Sequence, residues 1–310
     1  MMEGDNFTAV SEFVLAGLTN HRKTQILLFV VILIIYLFTL LGNVVIIVLV
    51  KTDSRLHTPM YFFLTQLSGL EICYVSNIVP QMLVHLLSGN GTISFIHCTT
   101  QMYIGLSLGS TEGLLLGVMA YDRYLAICHP FFYTVTMDKW RRVQLTIVSW
   151  AGGFLLSMMN VGCTLRLPFC GPNHINHFFC ELPVLLKLAC TDTYATETII
   201  FGAGVLILLV PLSAILTSYG LILSTVLQMQ SAAGRSKAFS TCASHLAVVA
   251  LFYGTVIYIY MRPRSRTTPD SDKKIAVFYI IVTPLLNPII YTLRNKDVHG
   301  ALAKMLNKQH

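Results

Sequence analysis

The sequence predicts an all-α membrane protein: a seven-transmembrane helix bundle followed by a short amphipathic helix. Three observations carry that class. The 310 residues are 55% hydrophobic and only 11% charged, with a mean hydropathy of +0.67, so there are too few charges to cover a water-facing surface. Apolar stretches recur along the whole chain, each long enough to match the roughly 20 residues that an α-helix needs to cross about 30 Å of hydrocarbon. The 21 Lys and Arg, which set a net charge of +7 and a pI near 9.0, are scattered between those stretches. Basicity of that kind flanks membrane spans; nucleic-acid binding needs one continuous basic face and is excluded.

The elements follow in order. Residues 1–25 form the N-terminal segment and lack a charged start, an apolar centre and a small-residue cleavage site, so the first span is expected to act as an uncleaved signal anchor. Span one, Ile26 to Val50, carries no charge; span two, Pro59 to Leu87, carries only Glu71; span three, Thr99 to Met119, only Glu112. Val143 to Val161, Thr198 to Met229, Ala243 to Tyr260 and Ile275 to Leu293 complete the set. Residues 26–293 thus read as one transmembrane bundle within a single domain covering 1–310, with no repeat and no low-complexity tract. In residues 294–310, Val298, Ala301, Leu302, Met305 and Leu306 recur at helical spacing among Lys296, Lys304 and Lys308, the pattern of an interfacial amphipathic helix without a cysteine for palmitoylation.

An odd number of spans puts the N- and C-terminal segments on opposite sides of the membrane. With the N-terminus extracellular and the C-terminus cytoplasmic, 12 of the 21 Lys and Arg fall on the inner side. The excess is small because Arg262, Arg264, Arg266, Lys273 and Lys274 crowd the connection between spans six and seven. Two glycosylation sequons, Asn6-Phe7-Thr8 and Asn90-Gly91-Thr92, fall on the outer side in this orientation, where the modification takes place. So do Cys98, Cys170, Cys180 and Cys190, in a compartment that permits disulfides, with three connectivities open to them. Cys73, Cys128, Cys163 and Cys242 lie in or beside apolar spans and read as packed free thiols.

An ionisable group at bilayer depth costs about 2.5 to 3.5 kcal/mol unless it is paired or hydrated. Only Glu71 and Glu112 lie mid-span, and neither has a Lys or Arg at comparable depth. With Asn43 and Asn287 as partners, a buried polar cluster between spans one, two, three and seven is the economical arrangement. It is either a sodium or proton site or a neutral hydrogen-bonded network that fixes helix packing. Arg123 stands at the inner end of span three, where its guanidinium can snorkel and Asp122 offers a partner.

The surroundings of Arg123 add a further signal. Met119-Ala120-Tyr121-Asp122-Arg123-Tyr124-Leu125-Ala126-Ile127-Cys128-His129-Pro130 resembles the signature that ends the third helix of odorant receptors, a branch of the rhodopsin-like G-protein-coupled receptors. Other motifs of that family follow in order: Pro59-Met60-Tyr61-Phe62-Phe63-Leu64 opens span two, Ser218-Tyr219 lies in span five, Lys237 to His245 opens span six, and Pro284-Leu285-Leu286-Asn287-Pro288-Ile289-Ile290-Tyr291 closes span seven. The resemblance runs from Gly42-Asn43 to Leu293-Arg294-Asn295, and the long cysteine-bearing outer loop is similar to that of the tetrapod-type branch.

The resemblance implies a Cys98 to Cys180 bridge from span three to the second outer loop, and a second bridge, Cys170 to Cys190, within that loop. It implies an activation switch of Asp122, Arg123, Tyr124, Tyr219, Lys237, His245, Asn287 and Tyr291, facing a G protein of the stimulatory, olfactory type that raises cyclic AMP. Localisation would be the plasma membrane. Span six has Phe252-Tyr253-Gly254-Thr255 where many rhodopsin-like receptors place tryptophan and a kinking proline, and its inner end lacks the acid that often pairs with the arginine.

The outer third of span three, Met102 to Ser110, has no acid, which argues against an amine ligand, and span seven has no mid-helix lysine for a retinal Schiff base. The expected pocket uses Met102, Gly105, Leu106, Gly109 and Ser110 of span three, Ala203 and Ile207 of span five, Tyr253, Val256 and Tyr260 of span six, and Ile280 of span seven. Such a lining suits a small, mostly apolar volatile molecule with one hydrogen-bonding group. His177-Phe178-Phe179-Cys180-Glu181 has a spacing that could hold copper or zinc, but a disulfide would consume Cys180, so no metal is expected there. No cofactor is expected beyond a structural or allosteric sodium ion at the Glu71 and Glu112 cluster. The rival class, a transporter or channel with a cation path along Glu71 and Glu112, would show paired interrupted helices or an inverted repeat, and neither is visible. No nucleophile, base and orienting group converge by motif, so an enzyme is not expected.

Overall fold

The computed structural model describes residues 10–170, 173–261, 269–293 and 296–307. Each apolar run becomes a helix that continues past its hydrocarbon-length core until a cap or a proline stops it. The helices are α1 (Arg22–Thr52), α2 (Pro59–Ser88), α3 (Phe95–Cys128), α4 (Pro130–Thr136), α5 (Lys139–Leu165), α6 (Leu182–Leu186), α7 (Tyr194–Gln228), α8 (Ala232–Met261), α9 (Pro269–Val277), α10 (Thr283–Leu293) and α11 (Lys296–Asn307). A π-helical stretch, Phe278–Val282, joins α9 to α10. Proline at a first helical position opens α2 and α4, where its missing N–H costs nothing. The Ser94 side chain accepts from the His97 N–H at the start of α3, and Asp138 accepts from the Arg141 N–H at the start of α5. Gly89, left-handed at φ 74°, closes α2.

Among the described residues, seven helical rods are long and apolar enough to cross a membrane: α1, α2, α3, α5, α7, α8 and the composite of α9, the π stretch and α10. Their faces are arranged for lipid. Leu27, Phe38 and Leu41 on α1 and Leu206, Val210 and Leu216 on α7 are exposed, while Asn43, Glu71, Glu112 and Asn287 are buried between helices. In its apolar window α3 is 56% buried against 17% for α7, which makes α3 the central post; it packs against α2, α5, α7 and α8. Close approach depends on small residues. A side chain at Gly153 of α5 would collide with Thr111 and the Ser107 carbonyl of α3, and a Cβ at Gly117 would sit 3.1 Å from Pro211 of α7.

The end of the bundle that carries the disulfides is roofed by a small sheet that the sequence reading does not contain. Strand β1 (Glu12–Leu15) pairs antiparallel with β2 (Thr92–Ser94) and parallel with β3 (His174–Ile175). Phe13 and Leu15 of β1 are buried in one cluster with Cys98, Met102 and Cys180, so the N-terminal segment is packed structure from Glu12 onward. At the opposite end, α11 folds against α1 and the turn Ser54–Leu56. Its Val298 and Ala301 join the core cluster of Ile46, Leu56 and Tyr61, with Leu302 packed alongside, as the amphipathic spacing requires; the side chains of Met305 and Leu306 lie outside the described residues.

Candidate functional site

A cavity of about 150 Å³ opens between the helices near the disulfide end. Met102, Gly105, Leu106, Gly109 and Ser110 of α3, Ile207 of α7 and Val256 of α8 line it, as the sequence placed them. Three expected residues do not. Ala203 is buried one position away from the lining residue Gly204. The Tyr253 hydroxyl donates to the Gly113 carbonyl of α3 at 3.1 Å, so the ring braces α8 on α3, leaving Phe252, Thr255 and Val256 to face the space. Ile280 is fully buried in a cluster with Ile32, Val75 and Ile78, and Tyr279 lines the cavity instead; the π turn alters the register that a uniform helix would give. The Tyr260 side chain lies outside the described residues.

The roof comes from the loop between α5 and α7. Cys98 is bridged to Cys180 and Cys170 to Cys190, with Cα separations of 5.3 and 5.7 Å. The first bridge brings Phe179, Cys180, Glu181 and Leu182 over the cavity. Gln101 of α3, 2% exposed, holds the loop down: its side-chain oxygen accepts from the Cys180 N–H at 2.9 Å, and its amide nitrogen donates to the Asn77 carbonyl at 3.1 Å and to Gln81 at 3.3 Å. Gln101 was not singled out from sequence, and Glu181 was weighed there only as part of a metal-ligand spacing, although a Cys98 to Cys180 bridge already requires that the neighbours of Cys180 overlie α3.

Glu181 accepts a hydrogen bond from the Tyr279 hydroxyl at 2.9 Å, and one-fifth of its side-chain surface remains open. Burial pushes its carboxyl up to about 7; the Tyr279 hydrogen bond and Lys187 oppose the rise and Asp272 adds to it. His177 Nε2 stands 3.9 Å from the second Glu181 oxygen, with the ring stacked on Phe178 and edge-on to Phe179. Burial, helped by Lys273 and Lys187, drops that imidazole to about 3, so it is neutral. Among the described residues no group of three or more His, Cys, Asp or Glu is placed to hold a metal ion.

Below the cavity lie the two mid-span acids. Asn287 of α10 donates to Glu71 Oε1, and Glu112 is close enough to interact with both. Asn43 does not join them: its side-chain amide donates to the Thr39 carbonyl of its own helix at 2.9 Å. Among the described residues, Glu71 Oε2, Glu112 Oε1 and Asn287 Oδ1 are buried without a hydrogen-bond partner.

At the far end Arg123 is 7% exposed and does not snorkel; its guanidinium contacts the Met60 sulfur of α2. Among the described residues no ion pair joins it to an acid. Asp122 instead accepts from the Tyr133 hydroxyl of α4 at 3.0 Å, and Tyr124 pairs with His129 at 2.9 Å. The Tyr219 hydroxyl of α7 meets His245 Nδ1 of α8 at 2.5 Å, and the Tyr291 hydroxyl of α10 is buried with no hydrogen-bond partner among the described residues. Lys237 is exposed near the start of α8. Asn90 is exposed in the turn between α2 and β2, its side chain accepting from the Thr92 N–H at 2.9 Å; Asn6 lies outside the described residues.

This arrangement, an apolar cavity at one end of seven helices and a buried arginine at the other, is the architecture of rhodopsin-like receptors. Squid rhodopsin superposes on 93% of this chain and 86% of its own with a TM-score of 0.74 at 17% sequence identity, a likeness of fold. The olfactory receptor family model matches residues 32–309. Olfactory receptor 2D2 of Homo sapiens is 52% identical over 98% of both chains, Olfactory receptor 2A5 of Homo sapiens 50% identical over 98% of both, and Olfactory receptor 2V1 of Mus musculus 48% identical over 98% of this chain and 96% of its own. The chain belongs to the olfactory receptor family. It is accordingly a multi-pass membrane receptor of the G-protein-coupled class and not an enzyme.

Proposed function

We propose that the protein is an odorant receptor that binds small, mostly apolar volatile ligands in the cavity beneath the Cys98 to Cys180 bridge and activates a stimulatory, olfactory-type G protein to raise cyclic AMP. The observation that carries this reading is the cavity itself. It is lined by Met102, Leu106, Ile207, Leu208 and Val256, with a few polar groups such as Ser110 and Thr255 to orient a ligand. Arg123, Tyr219, His245 and Tyr291, with Asp122, Tyr124, Lys237 and Asn287 around them, form the switch at the other end. A ligand with greater affinity for the active arrangement shifts the population, and only that difference in affinity does work. In this reading the disulfide end is extracellular and α11 lies on the cytoplasmic face of the plasma membrane, with glycans on Asn6 and Asn90. The oxygens of Glu71, Glu112 and Asn287 that lack partners among the described residues suit a sodium ion, a hard cation that takes oxygen ligands.

A cyclic AMP assay across an odorant panel tests the assignment. At least one odorant raises cyclic AMP in cells bearing the wild-type receptor, and Arg123→Ala loses that response at equal surface expression. A ligand-gated current that persists without any G protein contradicts it.

A further inference from the structure

Among the described residues, the cavity lining has three carboxyls and no basic side chain. Glu71 and Glu112 lie at its floor and Glu181 in its roof, while none of the described residues lining it is Lys, Arg or His. Among the described residues Glu71 Oε2 and Glu112 Oε1 are acceptors without partners on residues 1% and 5% exposed, and that lining offers acceptors and no cationic donor. Glu181 differs from the floor pair in being partly open, in a loop pinned by the Cys98 bridge and by Gln101. Among the described residues its side chain accepts one hydrogen bond from the wall, that from Tyr279 at 2.9 Å, which leaves acceptor capacity on a carboxyl group.

We propose that this receptor recognises small apolar amines, bound as ammonium ions with the nitrogen on the Glu181 carboxyl, and rejects carboxylic acids of the same size. The proposal rests on the cavity being the odorant site and names the ligand class that site selects. Span three lacks the acid that would argue for an amine, and the folded loop supplies one from above. The proton balance is favourable: an alkylamine holds its proton to about 10.4, whereas Glu181 releases its own near 7. An amine that arrives neutral therefore takes the Glu181 proton, and one that arrives charged meets a carboxylate; either way the result is an ammonium to carboxylate pair. Charge-assisted hydrogen bonds of this kind are about twice as strong as neutral ones, and the apolar walls hold the alkyl tail. A carboxylate ligand would face three acids in the lining, with Lys187 acting on Glu181 only from outside the described lining residues.

The test uses the full-length receptor in cells, with surface expression measured, and a series of one chain length: hexylamine, hexanol, hexanal and hexanoic acid. On the wild type, hexylamine should activate, or compete with another agonist, at lower concentration than hexanoic acid. Glu181→Gln keeps the shape of the side chain and should raise the effective hexylamine concentration about 10- to 100-fold, leaving hexanol and hexanal within about threefold. Tyr279→Phe removes the competing donor and should leave the hexylamine response intact or stronger. Hexanoic acid matching hexylamine on the wild type, hexylamine neither activating nor competing, or Glu181→Gln weakening all four ligands alike would each overturn the proposal. If other odorants still raise cyclic AMP while hexylamine fails, only the amine assignment falls; a receptor at the surface that answers no ligand contradicts the function beneath it.

Discussion

Glu181 and His177 face each other across 3.9 Å with opposite proton preferences, and that opposition is measurable. Burial raises Glu181 from 4.5 to about 7, so its contribution to stability is fully present below pH 4.5 and is lost as pH rises through about 7. His177 falls from 6.5 to about 3, so its contribution is present above 6.5 and is lost as pH falls toward 3. Between pH 4.5 and 6.5 the folded protein holds a proton on Glu181 while the unfolded chain holds one on His177, and the two slopes cancel. Tyr279, Lys187, Asp272 and Lys273 supply the surrounding charges and donors. Glu181→Gln should therefore make the melting temperature of the purified receptor fall on acidification across this window, where the wild type stays nearly level; parallel profiles would contradict the assignment. Glu112→Gln is predicted to alter the sodium sensitivity of signalling, and an unchanged dependence would leave the Glu71, Glu112 and Asn287 cluster a packing role only. Residue identity was more legible than partnership. Arg123 and Asp122 stood out as a pair from their adjacency, yet successive helical positions point about 100° apart. The fold accordingly gives Asp122 to Tyr133, which burial and Asp122 itself hold protonated as a donor, and Arg123 to Met60.

Helices were legible because long apolar runs leave few alternatives, and their packing turns on single glycines that periodicity does not reveal. Gly153→Val would drive side-chain atoms into Thr111 and the Ser107 carbonyl, so it should separate α5 from α3 and cost about 1 to 3 kcal/mol or more. Surface expression should drop sharply, while Gly162→Ala on the same helix, whose Cβ meets nothing within 4 Å, should leave it unchanged. Equal expression of the two variants would show that the close α3 to α5 contact is dispensable. The roofing sheet was not legible: β1 has 4 residues, β2 has 3 and β3 has 2, too short for an alternation signal, and the strands that pair lie far apart in the chain. The π stretch was hidden for a related reason. One irregular turn between α9 and α10 exchanges Ile280 for Tyr279 in the cavity wall, and nothing in FYIIV announces it.

Across the whole molecule, the seven-helix class and the family were visible in the sequence because they depend on apolar runs and motifs, and both disulfide pairings came only with the family resemblance, since the cysteines alone left three connectivities open. The ligand cavity was visible only in part. The α3 face came through intact, since Met102, Gly105, Leu106, Gly109 and Ser110 recur at helical spacing, whereas the roof joins residues far apart in the chain: Gln101, Glu181 and Tyr279. The central claim is that a ligand in this cavity drives the Arg123 end. Gly109 offers a direct test, because it lines the cavity and a Cβ added there meets nothing within 4 Å. Gly109→Leu should fill the space without straining the bundle, and it replaces glycine with a better helix former. The decisive measurement is the odorant dose-response of cyclic AMP for Gly109→Leu against wild type at matched surface expression. Odorant responses should be lost while basal cyclic AMP is retained; an unshifted dose-response would show that odorants act elsewhere than in this cavity.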